Sequence, residues 1–327
     1  MKYDFLAIGD VVTDAFIRLA DDGAEIRDDK LCLKYRDKIP FEHSAVVPAV
    51  GNSANAAVSA SRLGLKAALM SNIGDDRAGE EIIARLKEEH VDTELISRNK
   101  GKASNYHYVL WYKDDRTILI KHEDYAYHIP HFDEPKWIYF SSMGESSLRF
   151  HDEFADYMHG RPEIKLVFQP GTFQMKFGTE KLSKIYARTD LFFCNREEAM
   201  RILKTQESEI AFLARGLHAL GPKIVVITDG VDGAYTSDGK KVWFMPPYPD
   251  PKPPFERTGA GDAFSSTFTA ALAVGLSLED AMRWGPINSM SVVQYIGAHE
   301  GLLRRSQLEK YLADAPKDYK PRIFAKL

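Results

Sequence analysis

Thr258–Gly259–Ala260–Gly261–Asp262 is the segment whose residue types and spacing best suit chemistry. Small residues let a backbone turn tightly and approach a ligand closely. The run that follows, AFSSTFTAALAVGL, reads as a helix. Its first N–H groups and positive dipole end would make an anion pocket suited to a phosphate. A carboxylate at that point, Asp262, would repel the phosphate. It makes sense if it faces a second substrate and takes a hydroxyl proton as that oxygen attacks phosphorus. The competing reading is an ordinary acidic residue near a helix start, which is common.

Other segments share this character. Gly51–Asn52–Ser53–Ala54–Asn55 also opens a small-residue helix, closed by Gly64. Gly9–Asp10–Val11–Val12–Thr13–Asp14 places acids just after a first strand, where open α/β sheets bind ligands. Asn195–Arg196–Glu197–Glu198 follows one later strand, and Thr228–Asp229–Gly230–Val231–Asp232–Gly233 another. Each has a bland alternative. Asp14 could be a turn residue, and Asn195 with Glu198 fits a capping box at a helix start. Asp229 and Asp232 read as turn formers.

The elements that must position these residues alternate. Tyr3–Ile8, Ala67–Ile73, Trp137–Phe140, Lys165–Phe168, Leu191–Phe193 and Ile224–Thr228 are short apolar runs that read as buried strands. Helices are expected over 52–63, 77–90, 146–158, 179–187, 196–204, 208–219, 261–274, 278–294 and 305–313. Alternating strands and helices imply a parallel sheet covered on both faces. Residues 31–50 and a hairpin of 104–112 with 116–121 around Lys113–Asp114–Asp115 look half-exposed, and are expected to form a small separate sheet. Pro246–Pro254 holds six prolines in nine residues and must be extended.

Composition narrows the function. In 327 residues, 43 Lys and Arg against 47 Asp and Glu give a net charge of −4. That leaves no basic excess to neutralise nucleic acid. No run approaches a membrane span and the N-terminus lacks a secretory pattern, so the chain is expected to be cytoplasmic. Cys32 and Cys194 read as reduced, buried thiols. His122, His128 and His131 lie among acids without a metal-ligand spacing, and a solvated edge is expected. Tyr106, Tyr108, Trp111 and Tyr112 could stack on a ligand or form a dimer clasp.

In this order and spacing the motifs resemble those of the ribokinase-like carbohydrate kinases, the PfkB family, over nearly the whole chain. The GAGD segment at 259–262 is the most specific, followed by the Gly/Asn motif with SASRLG and Asn72–Ile73–Gly74–Asp75–Asp76, and by Asn-x-x-Glu at 195–198. The resemblance implies a three-layer ribokinase-like α/β fold over 1–327, with a mostly parallel central sheet and a small β-sheet lid built from about 15–50 and 104–121. It implies ATP-dependent phosphorylation of a hydroxymethyl group on a small sugar or sugar acid. Asp262 would be the base and the backbone of Gly259, Ala260 and Gly261 the anion hole. Asp14, Gly51, Asn52 and Asn55 would contact substrate, and Arg116, on the lid hairpin, could do so too. Asn195, Glu198, Thr228, Gly230, Gly233 and Asn288 would lie at the nucleotide, with Glu198 organising Mg²⁺ through water. A homodimer through the lid is also implied.

Two departures stand out. Val50 replaces the first of two glycines before the sugar helix, which could reshape one pocket wall; Phe16 and Phe173 are further candidate walls. Glu256–Arg257–Thr258 replaces the Asp-Thr lead that helps form a cation site in potassium-activated members, so a monovalent cation site stays open. A nucleoside kinase of the same family is the alternative function, and a catalytically silent binding protein a more distant one. The chain has no G-x-G-x-x-G after the first strand and no Walker A sequence.

Overall fold

The computed structural model describes residues 2–113, 115–255 and 257–327. Met1, Asp114 of the hairpin turn and Glu256 of the glycine-loop lead lie outside the described residues. The first half runs β1 (Phe5–Ile8), β2 (Val12–Leu19), β3 (Glu25–Arg27), β4 (Lys30–Cys32), β5 (Phe41–Val50), α1 (Asn52–Arg62), β6 (Ala67–Gly74), α2 (Arg77–Glu88), β7 (Ile96–Asn99), β8 (Tyr106–Tyr112) and β9 (Asp115–Lys121). Strands then alternate with one or two helices: β10 (Trp137–Phe140), α3 (Leu148–His159), β11 (Lys165–Phe168), α4 (Thr172–Lys181), α5 (Ser183–Arg188), β12 (Leu191–Asn195), α6 (Arg196–Leu203), α7 (Ile210–Ala219) and β13 (Ile224–Thr228). The chain continues through β14 (Ala234–Ser237), β15 (Lys241–Met245), α8 (Ala260–Ala273), α9 (Leu278–Val292), α10 (Arg305–Ala313) and β16 (Arg322–Lys326).

Among the described residues the main sheet has the order β16-β15-β14-β13-β12-β11-β10-β1-β6-β7. From β13 to β7 its pairs are parallel, and β14, β15 and β16 add an antiparallel edge. Strands buried on both faces explain the continuous apolar runs. Phe5 and Ala7 of β1 join one core with the helices α1, α2, α8 and α9. Leu6 and Ile8 join the other, with α3, α5, α6 and α7. Alternation along one strand thus feeds two cores, giving three layers.

The second sheet has the order β5-β2-β8-β9. Its register aligns Asp14 with His107 and His107 with Ile120, so these three share a face. The row one step along, Ala15 with Val46, Tyr108 and Leu119, belongs to the opposite face.

Several sequence expectations change. Val12–Leu19 is a strand of the small sheet, so Asp14 sits within a strand and not in a turn. The helix expected at 179–187 is two helices, α4 starting at Thr172, with Gly178 at φ 84° interrupting its regular geometry. Strands β14, β15 and β16, at the sheet's antiparallel end, were not among the expected strands. Cys194 is buried in β12, but Cys32 is half-exposed on the β3–β4 ribbon. No helix of the described residues is long and apolar enough to cross a membrane.

Candidate active site

Asp262 occupies the first turn of α8, whose N-cap Gly259 has φ +81°. A Cβ on Gly259 would come within 2.4 Å of the Ala298 Cβ, so both the positive φ and the close approach require glycine. Helix α1 packs alongside through small residues, with Ser59 Oγ 3.3 Å from Thr267 Oγ1. Asn52 and Asn55 are three residues apart, on one face of α1. That face meets Asp262: Asn52 Nδ2 donates to Oδ1 at 2.9 Å and Asn55 Nδ2 to Oδ2 at 2.8 Å.

A third donor was not anticipated. Gln169, directly after β11, donates Nε2 to Asp262 Oδ1 at 3.1 Å. Its own Oε1 accepts from Tyr139 OH, which also lies 2.6 Å from Ser265 Oγ. The available signal was position alone, a polar residue at the carboxyl end of a buried parallel strand. Burial, ahead of every other influence, raises the Asp262 carboxyl above the usual range, while the amides of Asn55, Gln169 and Asn52 pull it back. A carboxylate offers about four lone-pair directions. With two donors on Oδ1 and one on Oδ2, the open acceptor position is on Oδ2.

Two cavities meet at this carboxylate, and a third adjoins them. One of about 240 Å³ is lined by Asp14, Gly51, Asn52, Asn55, His107 and Asp262, with Val12, Val50, Ile118, Ile120 and Phe173 as apolar wall. Phe16 is buried away from it. A middle cavity of about 190 Å³ is lined by Asp262, Asn52, Arg116, Gln169, Asn195, Glu198, Thr228 and Arg257. An outer cavity of about 280 Å³ shares Thr228, Arg257 and Gly261 with the middle one and is walled by Gly230, Val231, Gly233, Tyr248, Phe264, Pro286 and Met290. The proline-rich run supplies Pro247 and Pro254 to this wall.

The remaining expected residues divide. Asn195 and Glu198 do form a reciprocal cap: Asn195 Oδ1 accepts from the Glu198 N–H at 2.7 Å, and Glu198 Oε2 from the Asn195 N–H at 2.9 Å. Both still line the middle cavity, so capping holds them at the cleft. Burial pushes the Glu198 carboxyl upward. Asp229 forms an ion pair with Arg196 at 2.6 Å and closes its turn onto Gly233.

Asn288 is a correction. It is fully buried, donates to Thr267 Oγ1 at 2.7 Å and accepts from the Leu303 N–H at 2.9 Å. It ties α9 to α8, while its neighbours Ser289 and Met290 face the outer cavity. His122 is a second correction. It is not a solvated edge: its Nδ1 lies 2.8 Å from Asp10 Oδ2 and it lines the 240 Å³ cavity. His128 and His131 are exposed as expected. Trp111 and Tyr112 are buried, Trp111 under Arg18 and against Phe255.

A mostly parallel sheet between two helical layers, with a small second sheet facing a carboxylate at a glycine-bounded helix start, defines the ribokinase-like α/β class. The chain matches the family described as pfkB family carbohydrate kinase over residues 28–304. It belongs to that family and is a kinase. It is 25% identical over 313 residues to an ATP-dependent 6-phosphofructokinase of Thermoanaerobacterium thermosaccharolyticum, covering 91% of this chain and 90% of that one. It is 27% identical over 272 residues to a ribokinase of Bacillus subtilis, covering 80% and 87%. The fold matches a nucleoside kinase of Methanocaldococcus jannaschii with TM-score 0.77 at 17% identity, covering 96% and 99%. It matches Arabidopsis thaliana ribokinase complexed with ribose and ATP with TM-score 0.76 at 18% identity, covering 95% and 99%.

Proposed function

We propose that this kinase transfers the γ-phosphoryl group of ATP to a hydroxymethyl group of a small, uncharged sugar. The observation that carries the reading is Asp262, held by three amide donors where the inner and middle cavities meet. The inner cavity takes the sugar, the middle one the reacting phosphoryl group, and the outer one the nucleotide. The described residues lining the inner cavity include no Lys or Arg to pair with a phosphate or carboxylate. This favours a neutral polyol over a phosphorylated sugar or a sugar acid.

Asp262 acts as base. Oδ2 accepts the proton of the attacking hydroxyl, which Asp14, Asn52 and Asn55 orient by its neighbours on the sugar ring. The N–H groups at the start of α8 stand where charge develops on the transferred group. Arg116 and Arg257 add positive charge to the middle cavity. The apolar wall of Val231, Phe264, Pro286 and Met290 suits a purine face. The small sheet acts as a lid that excludes water.

Mg²⁺ fits the site in one manner. Among the described residues no group of three or more His, Cys, Asp or Glu could hold a metal. Glu198 offers one carboxylate oxygen beyond its cap bond, which matches an ion held mainly by water and substrate phosphates. When bound there, Mg²⁺ neutralises phosphate charge.

A nucleoside acceptor is the second reading, favoured by the apolar wall of Val12, Val50, Ile118, Ile120 and Phe173. A homodimer through the small sheet is supported by its outward face, where Val46, Tyr108 and Leu119 are 56%, 49% and 52% exposed. Sedimentation at micromolar concentration showing only monomer would overturn the dimer.

The test is ADP release from ATP-Mg²⁺ with ribose, fructose, 2-keto-3-deoxygluconate, fructose 6-phosphate and adenosine. The expected result is turnover with a neutral sugar, reduced about 10²–10⁴-fold in Asp262→Asn. Preference for fructose 6-phosphate would overturn the neutral-substrate reading, and undiminished turnover in Asp262→Asn the base.

A further inference from the structure

The chemistry above leaves one buried hydroxyl unused. Tyr139, on β10, is fully buried, and its ring stacks on Phe5 with centroids 5.8 Å apart. The packed ring fixes where the hydroxyl stands. It reaches Gln169 Oε1 and, at 2.6 Å, Ser265 Oγ. Gln169 follows the neighbouring strand β11, and Ser265 stands one turn beyond Asp262 in α8. The contact therefore lies directly behind the base.

Donors and acceptors decide what it does there. The Asp262 carboxylate only accepts, so Gln169 must turn Nε2 towards it and Oε1 away. Oε1 then needs a donor. Ser265 Oγ is 3.3 Å from Oε1 but 2.9 Å from the Gly261 carbonyl, one helical turn back, where its hydrogen has a partner. The Tyr139 O–H supplies the donor to Oε1. The Gln169 main chain is pinned by its N–H to the Phe140 carbonyl at 3.0 Å, but its side chain is half-buried and lines the middle cavity. An amide has nearly the same shape when turned over, so packing does not choose between its two states. Turned over, it would set Oε1 against Asp262 Oδ1, acceptor against acceptor.

We propose that Tyr139 is a positioning residue that locks the Gln169 amide in its donating state and, through it, favours the charged form of Asp262 with Oδ2 open to substrate. This rests on the reading of Asp262 as the base. Burial pushes the Tyr139 hydroxyl far above its ordinary range, so it stays protonated and donates at every working pH. Without that hydroxyl the amide samples both states, the donor on Oδ1 is part-lost, and the Asp262 carboxyl rises. The other titratable and charged groups facing Asp262 are Asp14, His107 and His122 in the inner cavity, and Glu198, Cys194, Arg116 and Arg257 in the middle one. None of them is altered in the variants below.

The first arm of the test needs no substrate. Carboxyl ¹³C NMR on aspartate-labelled protein, with Asp262 assigned by Asp262→Asn, follows its titration in wild type, Tyr139→Phe, Gln169→Leu and the double variant. Tyr139→Phe keeps the ring and its stacking. The Asp262 midpoint should lie about 0.5–1 pH unit higher in Tyr139→Phe than in wild type. Adding Tyr139→Phe to Gln169→Leu should move it no further. An unmoved midpoint in Tyr139→Phe would overturn the proposal. An equal rise in both backgrounds would also overturn it, because the hydroxyl would then act without Gln169. The second arm is the acid limb of kcat, which should move with the midpoint. At a fixed pH on that limb kcat should fall about three- to tenfold, with smaller changes in KM. A merely structural tyrosine would lower the urea midpoint and leave the limb in place. A limb that stays while the NMR midpoint moves would fall on the reading of Asp262 as base, and the lock on Gln169 would stand.

Discussion

Asn55 Nδ2 donates to Asp262 Oδ2 at 2.8 Å, joining residues 207 positions apart. With Asn52 and Gln169 on Oδ1, it leaves the carboxylate one open direction, and that direction fixes where a hydroxyl can be deprotonated.

The pH dependence of turnover follows from this clamp. Burial raises the Asp262 carboxyl above its ordinary range, and a base works only when deprotonated. The acid limb of kcat should therefore lie above the usual aspartate range. Gln169→Leu removes a donor that favours the charged form, so the limb should move to still higher pH. A kcat profile measured in both proteins checks the direction. A shift to lower pH in the variant would contradict the clamp.

Gly259→Ala tests the helix start. The residue has φ +81°, and its Cβ would meet the Ala298 Cβ at 2.4 Å. The backbone conformation alone costs about 1–2 kcal/mol for a non-glycine residue, and the clash adds to it. A lower urea midpoint with loss of most turnover is expected, measured on the same preparation.

Asn288 and Met290 should separate structure from binding. Asn288→Ala leaves the Leu303 N–H and the Thr267 hydroxyl short of a buried partner, which costs about 1–3 kcal/mol of stability. Its KM for ATP should change little. Met290→Trp overfills the outer cavity wall and should raise the ATP KM about tenfold or more, at a packing cost of about 1–3 kcal/mol because the side chain is buried. The reverse pattern would return Asn288 to the nucleotide.

Arg62 gives a stability prediction away from the cleft. Its guanidinium donates to Glu89 at 2.7 and 2.8 Å and to the carbonyls of His299 and Leu302 at 2.7 and 2.6 Å. It therefore pins the 299–302 segment, next to Ala298 at the glycine loop, onto α1. Arg62→Met removes one of the two guanidinium partners of the buried Glu89 carboxylate, the other being Arg85 at 2.8 Å, and leaves two carbonyls without their donor; it should destabilise by about 1–3 kcal/mol, read by denaturant titration.

The sequence by itself determined what is local. Glycine at 259 and 51, an acid in the first turn of α8, asparagines three apart on α1, and the Asn195–Glu198 cap are all set by turn and helix geometry within a few residues. The buried strands were legible because a strand covered on both faces is apolar throughout. The residue pattern placed the strands at 31–50 and 104–121 in a small sheet, and the family resemblance began the lid at about residue 15, whereas β2 starts at Val12 and so takes in Asp14.

Only the tertiary structure decided which groups meet. Gln169 reaches Asp262 because parallel register carries the end of β11 to the start of α8, a relation no spacing encodes. His107 and His122 read as parts of a strand and a solvated edge until β8 and β9 bring them beside Asp10 and Asp14. The face of Asn288 was hidden for a different reason. Helix α9 is buried over most of its surface, so its polar period does not say which side meets α8 and which meets the cleft.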